Sequence, residues 1–350
     1  MSAARQRQGT LTGAGPRFEK GLREVGPGAW AWLQPNGAWG EANAGLVVGE
    51  AEALLIDTLW DERLAREMLD AMAPLLADRR LSTVVNTHSD GDHWWGNAAV
   101  PATTQIVTSA PSREAMDSDA SPAALARMSG LLHHGRWVPG RLGDLSRYVS
   151  EMLGPFDFKA VSLRFPDRTF SASETLDVSG REVQLIEVGP AHTPGDAIVH
   201  VPDAGVVFAA DVLFVSATPV MWFGPLEGWL KAIETLLSLD AVTYVPGHGA
   251  PGGRDVVLEL RDYLTWLDAG VREQHAAGRS PLEAARAMIR GEDFAHWQHW
   301  ECPERMLITI TTIHRSLEGQ GPIGASPLSR AQLFAQVATL GRELAARRSP

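Results

Sequence analysis

The chain has 350 residues, 45% of them hydrophobic, which is enough to bury a sizeable core in one large domain or two. Its formal charge of −11 argues against a phosphate-backbone partner, and no apolar run reaches the length of a membrane span. The single Cys302 excludes an internal disulfide, and the polar start over 1–15, without the apolar centre of a signal peptide, points to the cytoplasm.

In chain order, β-rich runs predict strands over 29–33, 46–48 and 53–57, then a helix over 62–76. Strands follow at 83–86 and 105–108. Residues 110–163 break the pattern, with helical stretches at 112–132 and 145–152 separated by the Pro/Gly break at 139–143. This insertion reads as a lid over a site or as packing on the edge or on a second subunit. A second set of strands is expected at 175–178, 182–188, 197–201, 206–211 and 243–245, with an amphipathic helix over 226–239. Beyond 250 the chain is a helical extension, with helices over 256–275 and 328–347 and a capping box at Ser280-Pro-Leu-Glu283. His296, Trp297, His299 and Trp300 there are expected to pack, or to make contacts of a homo-oligomer built through the extension, with substrate contact the lesser alternative.

The densest chemistry is His88-Ser-Asp90-Gly-Asp92-His93, four metal-binding side chains in six residues, directly after the strand 83–86. Mixed imidazole and carboxylate suit zinc, iron or manganese better than calcium or magnesium, which prefer oxygen alone. The competing reading is a polar turn with an Asp capping a helix. Three later segments shift the weight. Gly189-Pro-Ala-His192-Thr-Pro-Gly-Asp196, Val206-Val-Phe-Ala-Ala-Asp211 and Val245-Pro-Gly-His248-Gly each end an apolar strand on a ligand-type residue. Strand ends are where α/β sheets collect their sites. Seven ligands (His88, Asp90, Asp92, His93, His192, Asp211, His248) and a two-metal centre follow.

The order of these residues resembles the metallo-β-lactamase-fold hydrolase superfamily, with its His-x-His-x-Asp-His motif followed by a lone His, a lone Asp and a last His. The resemblance covers about residues 43 to 250, includes the acid Asp57, and departs at Asp90, where the family has its second His. It implies an αββα sandwich over 18–250, with the insertion 110–163 inside it and the extension 251–350 after it. It also implies one metal at His88, residue 90 and His192, another at Asp92, His93 and His248, and Asp211 between them. One or two Zn2+ ions would activate a water, with Asp92 orienting it or carrying a proton to the leaving group. If Asp90 is a ligand the shell hardens toward iron or manganese; if it is too short, a single metal at the second position does the work.

The substrate expected is a small, partly apolar molecule with an ester, lactone, thioester or amide bond. Trp94 and Trp222 are its expected contacts, because Trp94-Trp95 follows His93 and Met221-Trp222-Phe223 follows Asp211. Trp95 and Phe223 are the competing core positions. No cluster of Arg or Lys near the motifs offers a phosphate clamp. The rival readings are a di-iron oxidoreductase like the flavodiiron proteins, with flavin supplied by a partner chain, and a non-catalytic member of the fold. Asp57 is read as structural, Asp196 as bonded to its own loop, His200 as packed, and His133 and His134 as outside the site.

Overall fold

The computed structural model describes residues 18–35, 39–117, 121–323 and 327–348. Short runs of Val, Ile, Leu and Ala with both faces covered form two sheets. The first runs in the order β1 (Gly21–Gly26), β2 (Ala29–Leu33), β3 (Ala44–Val48), β4 (Glu52–Ile56), β5 (Arg80–Val85), β6 (Gln105–Ser109), β7 (Arg168–Phe170). It is antiparallel as far as β4 and parallel from β4 to β7. The second contains β8 (Ser173–Asp177), β9 (Glu182–Glu187), β10 (Ala197–Val201), β11 (Val206–Phe214) and β12 (Thr243–His248), lying in reverse order across the sheet. Only β11 and β12 pair in parallel there, joined through the crossover helix between them.

The helices are α1 (Glu62–Leu76), α2 (Gly91–Trp94), α3 (Ala110–Met116), α4 (Pro122–Gly135), α5 (Arg141–Leu153), α6 (Leu226–Ser238), α7 (Arg254–Ala276), α8 (Pro281–Arg290), α9 (Phe294–Trp297), α10 (Met306–Leu317) and α11 (Pro327–Arg348). Three apolar layers hold them to the sheets. Leu54, Ile56 and Val85 of the first sheet meet Val199, Phe208 and Val245 of the second in the middle. Leu46 and Leu55 pack under Leu64, Met68 and Met72 of α1, whose N-terminus is capped by Asp61 accepting from Leu64 N at 2.7 Å. Ile198 and Val207 share a core with α6, α7, α8 and α10 on the far side. This is the expected αββα sandwich. Among the described residues no helix is long and apolar enough to cross a membrane.

Differences from expectation have local causes. β1 carries Arg23 and Glu24 and forms an edge, and β7 has only three residues, so neither shows an apolar run. β11 runs past Asp211 to Phe214, with its register broken around Ala210, which has φ +45°. The helical stretch 112–132 is two helices: Ser121 accepts from Ala124 N at 3.3 Å and, with Pro122 after it, starts α4 afresh. α5 docks on the C-terminal helices, since Tyr148 OH donates to Glu304 Oε1 at 3.0 Å and Arg342 Nε lies 2.9 Å from Asp144 Oδ2. Trp297 and Trp300 pack as expected, the latter stacked on Tyr263 at 4.6 Å. Cys302 is buried, and burial pushes its thiol up to about 12, which makes it a poor nucleophile.

Glycines on the inner faces let the two sheets approach closely, and Gly45 is one of them. A Cβ at Gly45 would stand 2.4 Å from Cε1 of Phe208 on the facing sheet. Gly45→Ala is expected to lower unfolding stability by about 1–3 kcal/mol in chemical denaturation. In a Phe208→Leu background the same substitution should cost less, because the ring it strikes is gone.

Candidate metal centre

Strand ends place the site. The chain turns at Asp57, just past β4, in a left-handed conformation (φ +62°) that presents its carboxylate to the loop after β5. Asp57 Oδ1 accepts from Thr87 N, and Oδ2 from Thr87 Oγ1 and from His93 Nδ1, each at 2.8 Å. Having given its proton to Asp57, the Thr87 hydroxyl accepts from His88 Nδ1 at 3.0 Å. The Nε2 atoms of His88 and His93 are left facing inward as candidate ligand atoms. His93 itself sits in α2, reached through a turn at Gly91 so tight that a Cβ there would lie 2.5 Å from the Trp95 ring.

The second sheet completes the centre. Asp196 stitches the His192 loop together: it accepts from Thr193 N at 2.9 Å, Thr193 Oγ1 at 2.7 Å and Ala191 N at 3.2 Å, and burial pushes its carboxyl up to about 6. His192 Nδ1 makes a short hydrogen bond to Val220 O, so its Nε2 also turns inward, 3.1 Å from Asp90 Oδ2 and 3.4 Å from Asp211 Oδ2. His248 stacks on Phe214 at 5.2 Å, and its Nε2 lies 3.3 Å from Asp211 Oδ2 and 3.5 Å from Asp92 Oδ2. Asn43 Nδ2 braces that strand end by donating to Pro246 O and Gly249 O at 2.9 and 2.8 Å.

Two trios of donor atoms result, His88, His192 and Asp211 in one and Asp92, His93 and His248 in the other, each within 4.8 Å. Asp90 faces the first from the mouth with about a quarter of its side chain exposed (27%). All seven predicted side chains therefore converge.

The electrostatics ask for a cation. Burial opposes charge on Asp211, yet His248 and His93 beside it hold its carboxyl well below the usual range. Burial likewise opposes charge on His192, but the Asp90 hydrogen bond and the Asp211 charge push it up to about 10. Burial raises Asp92. His88 Nε2 is buried with no hydrogen-bond partner, and His93 Nε2 and Asp211 Oδ1 lie 3.1 Å apart without hydrogen-bond geometry, an arrangement that suits ligand atoms turned toward a metal. Four imidazoles and three carboxylates fit divalent transition ions.

Residues 37–248 match the metallo-beta-lactamase superfamily. The chain belongs to that family. The 2,4-dinitroanisole O-demethylase subunit alpha of Nocardioides sp. is 24% identical over 208 residues, 58% of this chain and 51% of that protein. A hydroxyacylglutathione hydrolase of Rhizobium meliloti is 30% identical over 118 residues, 33% of this chain and 45% of the relative. Among solved structures, a stereoselective inverting sec-alkylsulfatase from Pseudomonas sp. superposes with a TM-score of 0.63 at 18% identity, over 85% of this chain and 50% of that one. The chain thus spans about half the length of these relatives.

Members of this superfamily are hydrolases that bind divalent metals, typically zinc, through such clusters. The expectation for Trp94 as a substrate contact needs correction. Trp94 is 1% exposed, its Nε1 donates to Ser89 O at 2.9 Å and its ring packs on Phe165. One residue on from His93 in a helix is about 100° round the axis, which turns Trp94 away from the donors. Trp95 is buried as its competing reading held, whereas Phe223 is exposed. His200 pairs with Gln184 at 3.0 Å, and His133 and His134 lie on the exposed side of α4, all apart from the centre.

Trp222 is half-buried, two residues beyond the Val220 carbonyl that orients His192. It meets Trp39 at 6.3 Å and Phe334 of α11 at 6.3 Å, while Trp39 Nε1 donates to Tyr148 OH at 3.3 Å. Arg305 lies 4.6 Å over Trp39 and Arg330 5.5 Å over Trp222, two cations distant in sequence from the motifs. Sequence reading named Trp222 but missed Trp39, Arg305 and Arg330 beside it.

Asp57 touches no substrate and positions His88 and His93 through hydrogen bonds. Asp57→Asn is expected to weaken metal binding by about 10–100-fold. Competition with a chelator of known affinity at fixed pH reads the change.

Proposed function

We propose that the protein is a zinc-type metal-dependent hydrolase that cleaves an ester, lactone, thioester or amide bond of a small, ring-bearing substrate. The observation that carries this reading is the convergence of seven donor side chains with the outer nitrogens of His88, His93 and His192 tied off. A divalent ion held there supplies a water of lowered pKa and polarises the scissile carbonyl.

The chain's own residues do the rest. His88, His192 and Asp211 hold one position, and Asp92, His93 and His248 the other. Asp92 turns Oδ2 toward His93 and His248, at 3.8 and 3.5 Å, and burial raises its carboxyl above the usual carboxylate value. Its other oxygen is the group to hold a proton and pass it to the leaving atom. The indoles of Trp39 and Trp222, the latter two residues past the Val220 carbonyl that orients His192, offer apolar faces backed by Arg305 and Arg330. A relative whose name gives 2,4-dinitroanisole as substrate supports a ring-bearing molecule, and one named for hydroxyacylglutathione supports acyl cleavage.

The position of Asp90 favours a second reading. A carboxylate 3.1 Å from His192 Nε2 makes the first trio harder and more anionic, which suits iron or manganese and an oxidoreductase. Metal analysis separates the two readings. A colourless zinc protein that hydrolyses nitrophenyl esters supports the hydrolase, and an iron protein that consumes oxygen replaces it.

Asp92→Asn should lower kcat per bound metal about 10²–10⁴-fold on the best substrate of an ester, lactone, thioester and amide panel, measured at metal concentrations that saturate the variant, since Asp92 is also a ligand of the second position. Full kcat in that variant would remove the role given to Asp92. Trp222→Ala should raise KM for aryl over alkyl versions of one ester while leaving kcat near the parent value. An equal change in both KM values would remove Trp222 from the substrate wall.

A further inference from the structure

A second group of ligand-type side chains meets where α7 and α10 end, among residues the catalytic reading does not use. His275 lies in the last turn of α7, His314 in the last turn of α10, and Glu318 just beyond it. His275 Nε2 is 3.8 Å and His314 Nδ1 3.5 Å from one oxygen, Glu318 Oε1. The two imidazole rings are 4.6 Å apart, edge to face. One ligand atom from each residue lies within 4.8 Å of the others.

The outer atoms of two of the three are already engaged. His314 Nε2 donates to Arg279 O at 3.2 Å, which fixes the tautomer and leaves the Nδ1 lone pair facing the cluster. Gln320 Nε2 donates to Glu318 Oε2 at 2.7 Å, which leaves Oε1 turned inward. Two helix C-termini converge here, and their partial negative charge favours a cation between them. A simple ion pair of protonated histidine with Glu318 would set two imidazoles 4.6 Å apart in competition for one oxygen, a weak arrangement at a half-exposed surface.

We propose that His275, His314 and Glu318 form a second metal site that takes a zinc-type transition ion, with water completing its shell, and clamps α7 to α10. Two imidazoles and one carboxylate match zinc, whereas calcium and magnesium call for oxygen ligands. The clamp closes the segment carrying α8 and α9 into a loop. Its metal stabilises the helical half without entering the buried centre.

Zinc titration of the full-length chain, read as zinc equivalents per chain after desalting and as melting temperature, tests this. The parent should hold one equivalent more than the His275→Gln/His314→Gln variant, and the two should share the same hydrolytic activity. Micromolar zinc added to protein already loaded at the buried centre should raise the parent's Tm by several degrees and leave the variant's unchanged. Glu318→Gln, milder and still able to meet Gln320, should weaken the extra equivalent roughly tenfold, on the scale of a lost charged ligand. Equal zinc content and equal Tm response in parent and double variant would overturn the proposal, as would a parent with no Tm response to the added zinc.

Discussion

Carboxylates buried beside one another repel, and imidazoles buried beside them pay in lost hydration, so such a group persists only when geometry and a counter-charge are both supplied. In this protein Asp211 lies within 3.9 Å of all four histidine Nε2 atoms, Asp92 faces His93 and His248, and Asp57 holds His93 from behind. Parallel pairing provides the geometry. β4 and β5 run side by side, so Asp57 and the His88 loop emerge at the same sheet edge. β11 and β12 also run side by side, so Asp211 and His248 emerge together on the other sheet. Packing the sheets face to face then brings the two edges into register, and Asp57 ties Thr87, His88 and His93 into one rigid unit.

Much of this was legible in the sequence because it is local. α1 begins and ends where its apolar period predicts, and β10 is a fully buried five-residue strand whose apolar run is broken only by His200. The seven donors could be read because each follows an apolar strand by a few residues. Asp211 shows the limit of that logic: it lies inside β11, and the strand continues to Phe214 because the chain kinks at Ala210 and resumes pairing with β12. Edge strands β1 and β7 gave no apolar signal, one being charged and the other three residues long.

What could not be read is assembled across distance. Trp222 was read, but its companions Trp39, Tyr148 and Phe334 come from a strand loop, the insertion and the last helix. No period links them, and a guanidinium such as Arg305 acquires its place over Trp39 only once α10 is docked. The same is true of His275 and His314, on two helices joined through α8 and α9. Scaffold and donor set follow from short-range pattern, whereas the wall that would choose a substrate follows from tertiary packing.

Asp90 bears on the chemistry more than its exposure suggests. It occupies the N-cap position of α2, with extended backbone angles and its own carbonyl accepting from His93 N at 3.0 Å. An aspartate there ordinarily turns its side chain back onto the free amides of the first turn, an interaction worth about 1 kcal/mol. Asp90 makes no such bond, and its carboxylate instead points across the mouth to His192 Nε2. The polar-turn reading of this loop therefore fails on geometry, since the capping bond it needs is absent. Held on a four-residue helix that cannot shift without moving Asp92 and His93, Asp90 is fixed relative to both trios. Its reach is set by a short side chain, so the charge it brings sits at the rim of the first trio, where it acts on whatever the His88 and His192 nitrogens hold.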